Sequence, residues 1–307
     1  MPIRAVARDL WFPGLLLALF GYALATPALD PAAALGVAGH WNGGLLIAPA
    51  VVAVIGLVAG LERALPHRTA WNRSHGDVRT DLLHGLVSGP VGGALFEATL
   101  RGLLASAALW LSTKSGGSLW PNEAPLALQL GLALVAMELG HYAWHRVAHE
   151  WRLAWPVHAV HHSATRLYWL NAYRFHALDS FFFLAFDQLL LVLLGAGPAA
   201  LLAFGVVKNS YGLIQHGNVD VRTPRLLDWI FSTPGLHRRH HAADARESSS
   251  NYGAVLNCWD LVFGSFERSE PPYAGAVGID ALPHFPQGFV AQTLSLLRWK
   301  RTVRESV

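Results

Sequence analysis

Long apolar stretches separated by short polar segments run through the first two thirds of the chain. A helix that crosses a bilayer needs about 20 mostly apolar residues, and five stretches approach or exceed that length. They are Leu10–Leu29, Gly44–Leu61, Leu82–Leu111, Pro125–Tyr142 and Ala177–Val207. The pattern predicts an all-α protein, a polytopic helical bundle that spans a membrane. We expect the first stretch to be a span and not a cleaved secretory signal, because it is long enough to cross and further spans follow.

The third stretch is interrupted and carries charge. It contains Gly89-Pro90, which predicts a break in the helix. Glu97 and Arg101 stand four residues apart, so they can pair on one helix face. A paired charge inside a membrane bundle costs far less than a lone one.

The fifth stretch is broken by four residues that disfavour a continuous helix, 195–198, with the sequence Gly-Ala-Gly-Pro. The break predicts two helices joined as a hairpin, either spanning or re-entrant. In both cases the residues before 177 and after 207 lie on the same side of the membrane.

Positive charge is distributed unevenly between the predicted loops. The N-terminus and the second loop hold Arg4, Arg8, Arg63, Arg68, Arg73 and Arg79. The opposite loops, Asp30–Gly43 and Ser112–Ala124, hold only Lys114. The positive-inside rule therefore predicts a cytoplasmic N-terminus, and four spans return the chain to the cytoplasm. The excess of arginine over lysine suggests a GC-rich bacterial source, and hence a bacterial inner membrane.

Composition excludes several classes of protein. Only 14% of the residues are charged and 53% are hydrophobic, whereas a soluble protein carries roughly 25% charged residues. The net charge is +3 without a long Lys/Arg block, so we predict no nucleic-acid partner. Cys258 is the single cysteine, which excludes an intrachain disulfide, a thiolate zinc site and an iron–sulfur cluster.

Histidine is unusually frequent, with 16 residues, 11 of them between positions 141 and 241. Three clusters have helical spacing: His141, His145 and His149; His158, His161 and His162; His237, His240 and His241. Each cluster is expected to lie on one face of a helix. His216 stands between the second and third clusters. Packed imidazoles repel one another when protonated, so neutral rings directed at a cation explain the pattern best.

Ten candidate ligands favour two metal ions over one, because one zinc ion takes three or four protein ligands. Imidazole suits iron, zinc and copper, so the ligand type leaves the metal open. His149-Glu150 begins like the HExxH motif of zinc proteases but continues Trp-Arg-Leu. A histidine-rich metal transporter and a zinc-dependent membrane hydrolase remain alternative hypotheses.

Three motifs resemble the histidine boxes of the fatty acid hydroxylase/sterol desaturase superfamily. They are HRVAH (145–149), HAVHHS (158–163) and HRRHH (237–241). Flanking segments are similar as well: Glu138, Asn171–His176, Leu227–Pro234, Asn251–Gly253 and Trp259–Phe266. The resemblance covers about residues 125–267, whereas residues 1–124 are similar only in being hydrophobic.

The resemblance implies a non-haem di-iron centre at the cytoplasmic face that uses O2 and electrons to hydroxylate a C–H bond of a lipid. A desaturase on the same site is the close alternative. The ten clustered histidines, His216 included, would be the iron ligands, with zinc as a possible substitute. The position of His141 is sometimes tyrosine in the family. An external reductase, ferredoxin or cytochrome would supply the electrons.

Other residues are expected to support this site. Polar groups that could hold the ligands or pack beside them are Glu138, His176, Asn218, Asp228 and Asp260. The candidates to line the route of the lipid chain are Phe181, Phe182, Phe183 and Phe186 in the hairpin, of which Phe182 and Phe186 are selected.

The chain thus divides into three predicted regions: transmembrane helices at 1–124, the catalytic region at 125–267 and a tail at 268–307. The tail places apolar side chains among arginines over Phe289–Arg304. This segment is predicted to be an amphipathic helix on the cytoplasmic leaflet, with a poorly ordered basic end as the alternative.

Overall fold

Helices make up the regular structure of the described residues, which are 2–29, 43–270 and 273–306 of the computed structural model. Within these ranges β-pairing is limited to isolated bridges, so the all-α prediction is confirmed. The α-helices, in chain order, are α1 Pro2–Ala25, α2 Gly43–Ala64, α3 Val78–Leu83, α4 Gly89–Thr99, α5 Arg101–Ser115, α6 Leu126–Glu150, α7 Trp155–His162, α8 Ala177–Leu194, α9 Pro198–His216, α10 Arg225–Ile230, α11 Pro234–His240, α12 Ala245–Ser248, α13 Cys258–Phe263, α14 Phe289–Thr293 and α15 Trp299–Ser306.

Four of the described helices, α1, α2, α6 and α8, are long and apolar enough to cross a membrane. The bent unit α3–α5 would be a fifth span. Large apolar side chains on these helices face outward, among them Leu17, Leu45 and Val52. An apolar outer surface of this kind suits lipid rather than water, and the chain is therefore a multi-pass membrane protein. The predicted loop at Asp30–Gly43 falls almost wholly outside the described residues.

The predicted break at Gly89-Pro90 is wrong. A π-helical turn at His84–Ser88 leads directly into α4, where Pro90 lies in the first turn. Proline has no N–H to donate to the preceding helical turn, and the π-helical hydrogen bonding directly before it keeps the helix continuous. The bend lies instead between α4 and α5, with an angle of 47°. The Glu97–Arg101 pair forms as predicted, with Oε1 and Nη1 2.6 Å apart, although both side chains are exposed.

The hairpin forms where the sequence places it. Gly195 ends α8 with a φ of +80°, a conformation that favours glycine, and Pro198 begins α9. Helix α9 lies in the centre of the bundle, packed against α1, α2 and α6. Its apolar side chains, such as Leu202, Val206 and Leu213, are almost completely buried. A helix with buried apolar side chains on several faces is stable in such a position.

Helices α6 and α8 pack very closely. A Cβ atom at Gly140 would lie 2.0 Å from the carbonyl oxygen of Phe186, so only glycine allows this approach. This contact fixes the position of the two helices relative to each other, with one face of α8 directed toward the histidines of α6.

Two buried ion pairs join the loop after α7 to the start of α3. Arg166 donates from Nε and Nη2 to the two carboxylate oxygens of Asp77, at 2.7 and 2.8 Å. Arg174 pairs with Asp81. These pairs hold the loop that follows the second histidine cluster against the N-terminal half of the chain.

The tail is helical but forms two short helices, α14 and α15, rather than the single predicted helix over Phe289–Arg304. Residues 294–298, between the two helices, form a turn in which Ser295 is almost fully buried. Gln292 is fully buried, contacting the His84 ring at 3.0 Å and donating to Ser163 Oγ at 3.0 Å. The tail therefore docks against the protein beside the second histidine cluster.

Candidate metal centre

Nine of the ten predicted ligands converge in two groups. The first group consists of His145, His149, His158, His162 and His240, and the second of His161, His216, His237 and His241. Within each group one ring nitrogen per residue lies within 4.8 Å of the others. These distances suit one metal ion in each group. No third group of this kind occurs among the described residues.

The two spatial groups do not coincide with the three sequence clusters. This differs from the expectation that all histidines of one cluster lie on one face of a helix. His158 and His162 enter the first group, whereas His161 enters the second. Adjacent helical residues are rotated by about 100°, so His161 and His162 diverge. The same rule separates His240 from the i,i+4 pair of His237 and His241. Each short helix therefore supplies both groups.

The two groups adjoin one another. The rings of His162 and His241, one from each group, stack with centroids 4.4 Å apart and planes at 21°. The rings of His240 and His241, again one from each group, lie 5.4 Å apart. Two ions bound here would therefore share a single site.

In the first group, hydrogen bonds at Nδ1 direct Nε2 inward. His145 donates to the carbonyl oxygen of Tyr252 at 2.7 Å, and His240 donates to that of Ser250 at 2.8 Å. His158 donates to Asp179 Oδ2 at 2.9 Å. An imidazole that donates from Nδ1 keeps its lone pair on Nε2. The Nε2 atoms of all three residues are buried and have no hydrogen-bond partner in the protein. Buried polar atoms normally have a partner, and a bound metal ion would provide one.

In the second group, two of the four rings have a hydrogen-bond partner at Nδ1. His161 Nδ1 lies 3.2 Å from the carbonyl oxygen of Arg174, and His216 Nδ1 lies 2.9 Å from Asn171 Oδ1. His237 Nε2 is 2.9 Å from His216 Nε2 and 3.2 Å from His241 Nε2. Two nitrogens that bind one ion at about 2.1 Å lie roughly 3.0 to 3.4 Å apart. The imidazoles therefore fit a bound metal ion.

Burial keeps these histidines neutral. It lowers the pKa of His240 to about 4, and the hydrogen bonds that the ring donates to backbone carbonyl oxygens oppose the shift only partly. Burial and the neighbouring rings hold the pKa of His161 and of His162 well below the usual value. At neutral pH the rings thus keep their lone pairs and do not repel one another.

His141, the tenth predicted ligand, lies outside both groups. Its Nδ1 atom is 2.9 Å from Asp187 Oδ1, and its ring stacks on Phe183 with centroids 4.5 Å apart. His141 is one helical turn before His145 on α6, so it faces deeper into the bundle. Its contacts are those of a side chain that lines the site, not of a ligand in either group.

Two predicted supporting carboxylates hold a loop rather than a histidine ring. Glu138 is fully buried and accepts the N–H groups of Ala254, Val255 and Leu256. Asp260 accepts those of Tyr252 and Gly253, each at 2.8 Å. The carbonyl of Tyr252, in this loop, orients His145. Both carboxylates thus act on the site through the backbone.

The other predicted supporting residues join segments of the chain. Asn218 accepts from Arg68 N at 2.9 Å, which fixes the end of α9. Asp228 accepts from Thr233 Oγ1 at 2.8 Å and pairs with Arg268, so it anchors the turn before α11. His176 caps α8 by accepting from Leu178 N at 3.2 Å, and its Nε2 lies 3.1 Å from the carbonyl oxygen of Thr293 in the tail.

Asp179 and Lys208 were not predicted from the sequence. Asp179 is fully buried, accepts from Trp144 Nε1 at 2.9 Å and orients His158. A signal for it was present, because Asp179 and Asp187 are the two charged residues within Ala177–Val207. Ionisable residues inside an apolar segment are functional candidates by default. Lys208 follows directly after that stretch.

A cavity of about 220 Å³ touches both groups of histidines. Its wall includes His145 and His158 from the first group and His161, His216 and His237 from the second. The aromatic side chains in it are those of Phe175, Phe183, Tyr173 and Tyr211. Aromatic and aliphatic carbon atoms make up most of the remaining wall, which suits an apolar ligand beside the metal groups.

Phe182 and Phe186 are not part of this wall. Both stack on Trp144, with centroids 4.3 and 5.9 Å away. Phe183 lines the cavity instead because it lies about 100° further around α8. Of the four candidate phenylalanines in the hairpin, the cavity wall holds Phe183 and not the two selected ones.

Replacing Asp179 with asparagine is expected to weaken metal binding about 10- to 100-fold. The carboxylate that holds the His158 tautomer would be lost, and changes of this kind have effects of that size. Titration with a metal chelator measures the effect. Asp280→Asn, at an exposed position, is the matched control, and equal metal retention in both variants would contradict the assignment.

Comparison with known proteins agrees with this geometry. A family model described as fatty acid hydroxylase matches residues 130–265, which contain both histidine groups. Ornithine lipid hydroxylase OlsE of Rhizobium tropici is 36% identical over 244 residues, 78% of this chain and 72% of that protein. The alkylglycerol monooxygenases of Danio rerio and Homo sapiens are 32% and 31% identical over 136 residues, 44% of this chain and 30% of their own length. No solved structure matches the chain significantly. The chain belongs to the fatty acid hydroxylase family.

Proposed function

We propose that this protein is a membrane di-iron oxygenase that hydroxylates a C–H bond of a polar membrane lipid. The observation that carries the proposal is the pair of adjoining groups of buried, neutral imidazoles that share one cavity. The similarity to lipid hydroxylases over most of the chain supports the same activity. The ligands are the nine grouped histidines, and His141 is excluded from the proposed set.

Iron is the proposed metal. The donor set consists of imidazole nitrogens alone, which suit iron as well as zinc, and the relatives are named hydroxylases and monooxygenases. When bound, iron supplies the activation of O2, and the protein supplies position and surroundings. Zinc would occupy the site only as a substitute.

The chain's own residues hold the metal ligands and shape the substrate site. Carbonyl oxygens and Asp179 fix the ring orientations, and Glu138 and Asp260 fix the loop that provides the carbonyl of Tyr252. Phe175 and Phe183 exclude water beside the ligands and leave room for part of a lipid. A lipid that enters sideways from the bilayer needs no aqueous channel to reach this site.

The similarity to a named relative supports the proposed substrate class, and the arginine distribution supports the proposed orientation. Ornithine lipid is the first substrate to test, because the relative with 36% identity is named for it. The arginine distribution supports a position of the histidines at the cytoplasmic face, in a bacterial inner membrane. The sequence contains no Gly-x-Gly-x-x-Gly motif and one cysteine, so a separate reductase, ferredoxin or cytochrome is proposed as the electron donor.

The test is turnover under ¹⁸O2 by the full chain in lipid nanodiscs, loaded with iron and supplied with a ferredoxin, its reductase and ornithine lipid. The expected product carries one additional oxygen atom, labelled from ¹⁸O2, in mass spectrometry. A product lacking two hydrogens would show a desaturase instead. Activity with zinc alone and without O2 would show a hydrolase and overturn the proposal.

A further inference from the structure

Three polar side chains meet inside the bundle without belonging to either histidine group. Asp187 Oδ2 lies 3.0 Å from Lys208 Nζ, and Asp187 Oδ1 lies 2.9 Å from His141 Nδ1. Lys208 Nζ is also 3.0 Å from His141 Nδ1. Ionised groups among apolar helices are expensive and mark functional sites. None of these three residues has a role in the metal binding proposed above.

All three residues line the cavity that touches the histidine groups. Lys208 lies eight residues before His216 on α9, about 12 Å along the helix. The polar trio is therefore on the bilayer side of the metal ligands. The Lys208 side chain is 23% exposed against 8% for Asp187, so the ammonium group is the more open of the two.

The hydrogen-bonding capacity of the trio is not exhausted. An ammonium group has three N–H donors and no acceptor. One donor of Lys208 goes to Asp187 and a second at most to His141, so one remains for a molecule in the cavity. The free partner of Lys208 is therefore an oxygen acceptor, and an anionic oxygen gives the stronger bond.

Charge balance further restricts the chemical class of the ligand. Lys208 and Asp187 neutralise one another, so a purely anionic ligand would leave one uncompensated negative charge in an apolar region, at high cost. A ligand with one negative and one positive group pairs all four charges, its anion with Lys208 and its cation with Asp187. We propose that Lys208 and Asp187 select lipids with a zwitterionic headgroup. The inference rests on the proposed function for the lipid nature of the ligand.

Binding of lipid probes to the full-length metal-free protein in detergent tests the inference without turnover. The probes share an oleoyl chain: N-oleoyl-ornithine with carboxylate and ammonium, lysophosphatidylethanolamine with phosphate and ammonium, and uncharged monooleoylglycerol. One or both zwitterionic probes are expected to bind about tenfold or more tightly than monooleoylglycerol, because a charge-assisted hydrogen bond contributes at least that factor. The tighter of the two identifies the anionic group.

The Lys208→Met/Asp187→Asn variant is expected to lose this preference, because it removes both charges and leaves neither unpaired. Lys208→Arg is expected to retain most of it, and Lys300→Met, exposed in the tail, is the matched control. Unfolding temperatures show whether the variants fold. Equal binding of all three probes to the wild-type protein would overturn the inference, as would an unchanged preference in the double variant. Zwitterion selectivity without any ¹⁸O2 incorporation would count against the proposed oxygenase and not against this inference.

Discussion

Replacing His161 with alanine is expected to abolish hydroxylation and to remove metal from one of the two groups. His161 is one of four imidazoles in the second group and is buried, so no other side chain replaces it. We expect the product yield to fall at least about 100-fold. Losing a residue that only orients a metal ligand costs about 10- to 100-fold, and losing the ligand itself should cost more. Elemental analysis should show the metal content falling from two ions per chain toward one.

Two further variants complete this test. His240→Ala removes a ligand from the first group and should give the same loss of one ion. His284→Ala changes an exposed histidine outside both groups and should keep two ions and full activity. If His161→Ala keeps two ions and normal turnover, the assignment of the second group to a metal ion is wrong.

Replacing Glu138 with alanine is expected to cause a large loss of stability. Three backbone N–H groups, those of residues 254–256, would lose their acceptor inside the protein. Each unsatisfied buried donor costs about 1 to 3 kcal/mol, so the free energy of unfolding should fall by about 3 kcal/mol or more. Denaturant unfolding in detergent measures it.

The control for this change lies on the same helix. Glu150 is exposed and pairs with Arg146 across one turn, a contact worth less than about 1 kcal/mol. Glu150→Gln should therefore leave stability almost unchanged. Equal stability of the Glu138→Ala and Glu150→Gln variants would show that the loop does not depend on the buried carboxylate.

Much of the fold could be predicted from local sequence. The apolar stretches predict the helices because their length and polarity alone decide whether they can cross a bilayer. The turn at Gly195–Pro198 was predictable because it depends on glycine and proline conformation. The bend between α4 and α5 was not predictable, because the π-helical turn before Gly89-Pro90 keeps the helix continuous there and the actual bend has no comparable glycine–proline signal.

The histidines show the limit of local reasoning. Their number and spacing predict metal binding, because neutral imidazoles at helical spacing have few other uses. Spacing within a helix predicts that His161 and His162 diverge. Which imidazoles of different helices meet depends on how α6, α7, α9 and α11 are oriented about one another. The role of His141 was hidden for the same reason, since Asp187 and Lys208 reach it from helices distant in sequence.

The amino-acid sequence alone determined that the chain is an all-α membrane protein, that its histidines suit metal, and which family it resembles. These properties follow from composition, periodicity and short motifs. Only the tertiary structure decided which imidazoles share an ion, which carbonyls and carboxylates orient them, and which face of α8 meets the cavity. Such features depend on helix rotation and on contacts across more than 100 residues, and packing fixes both.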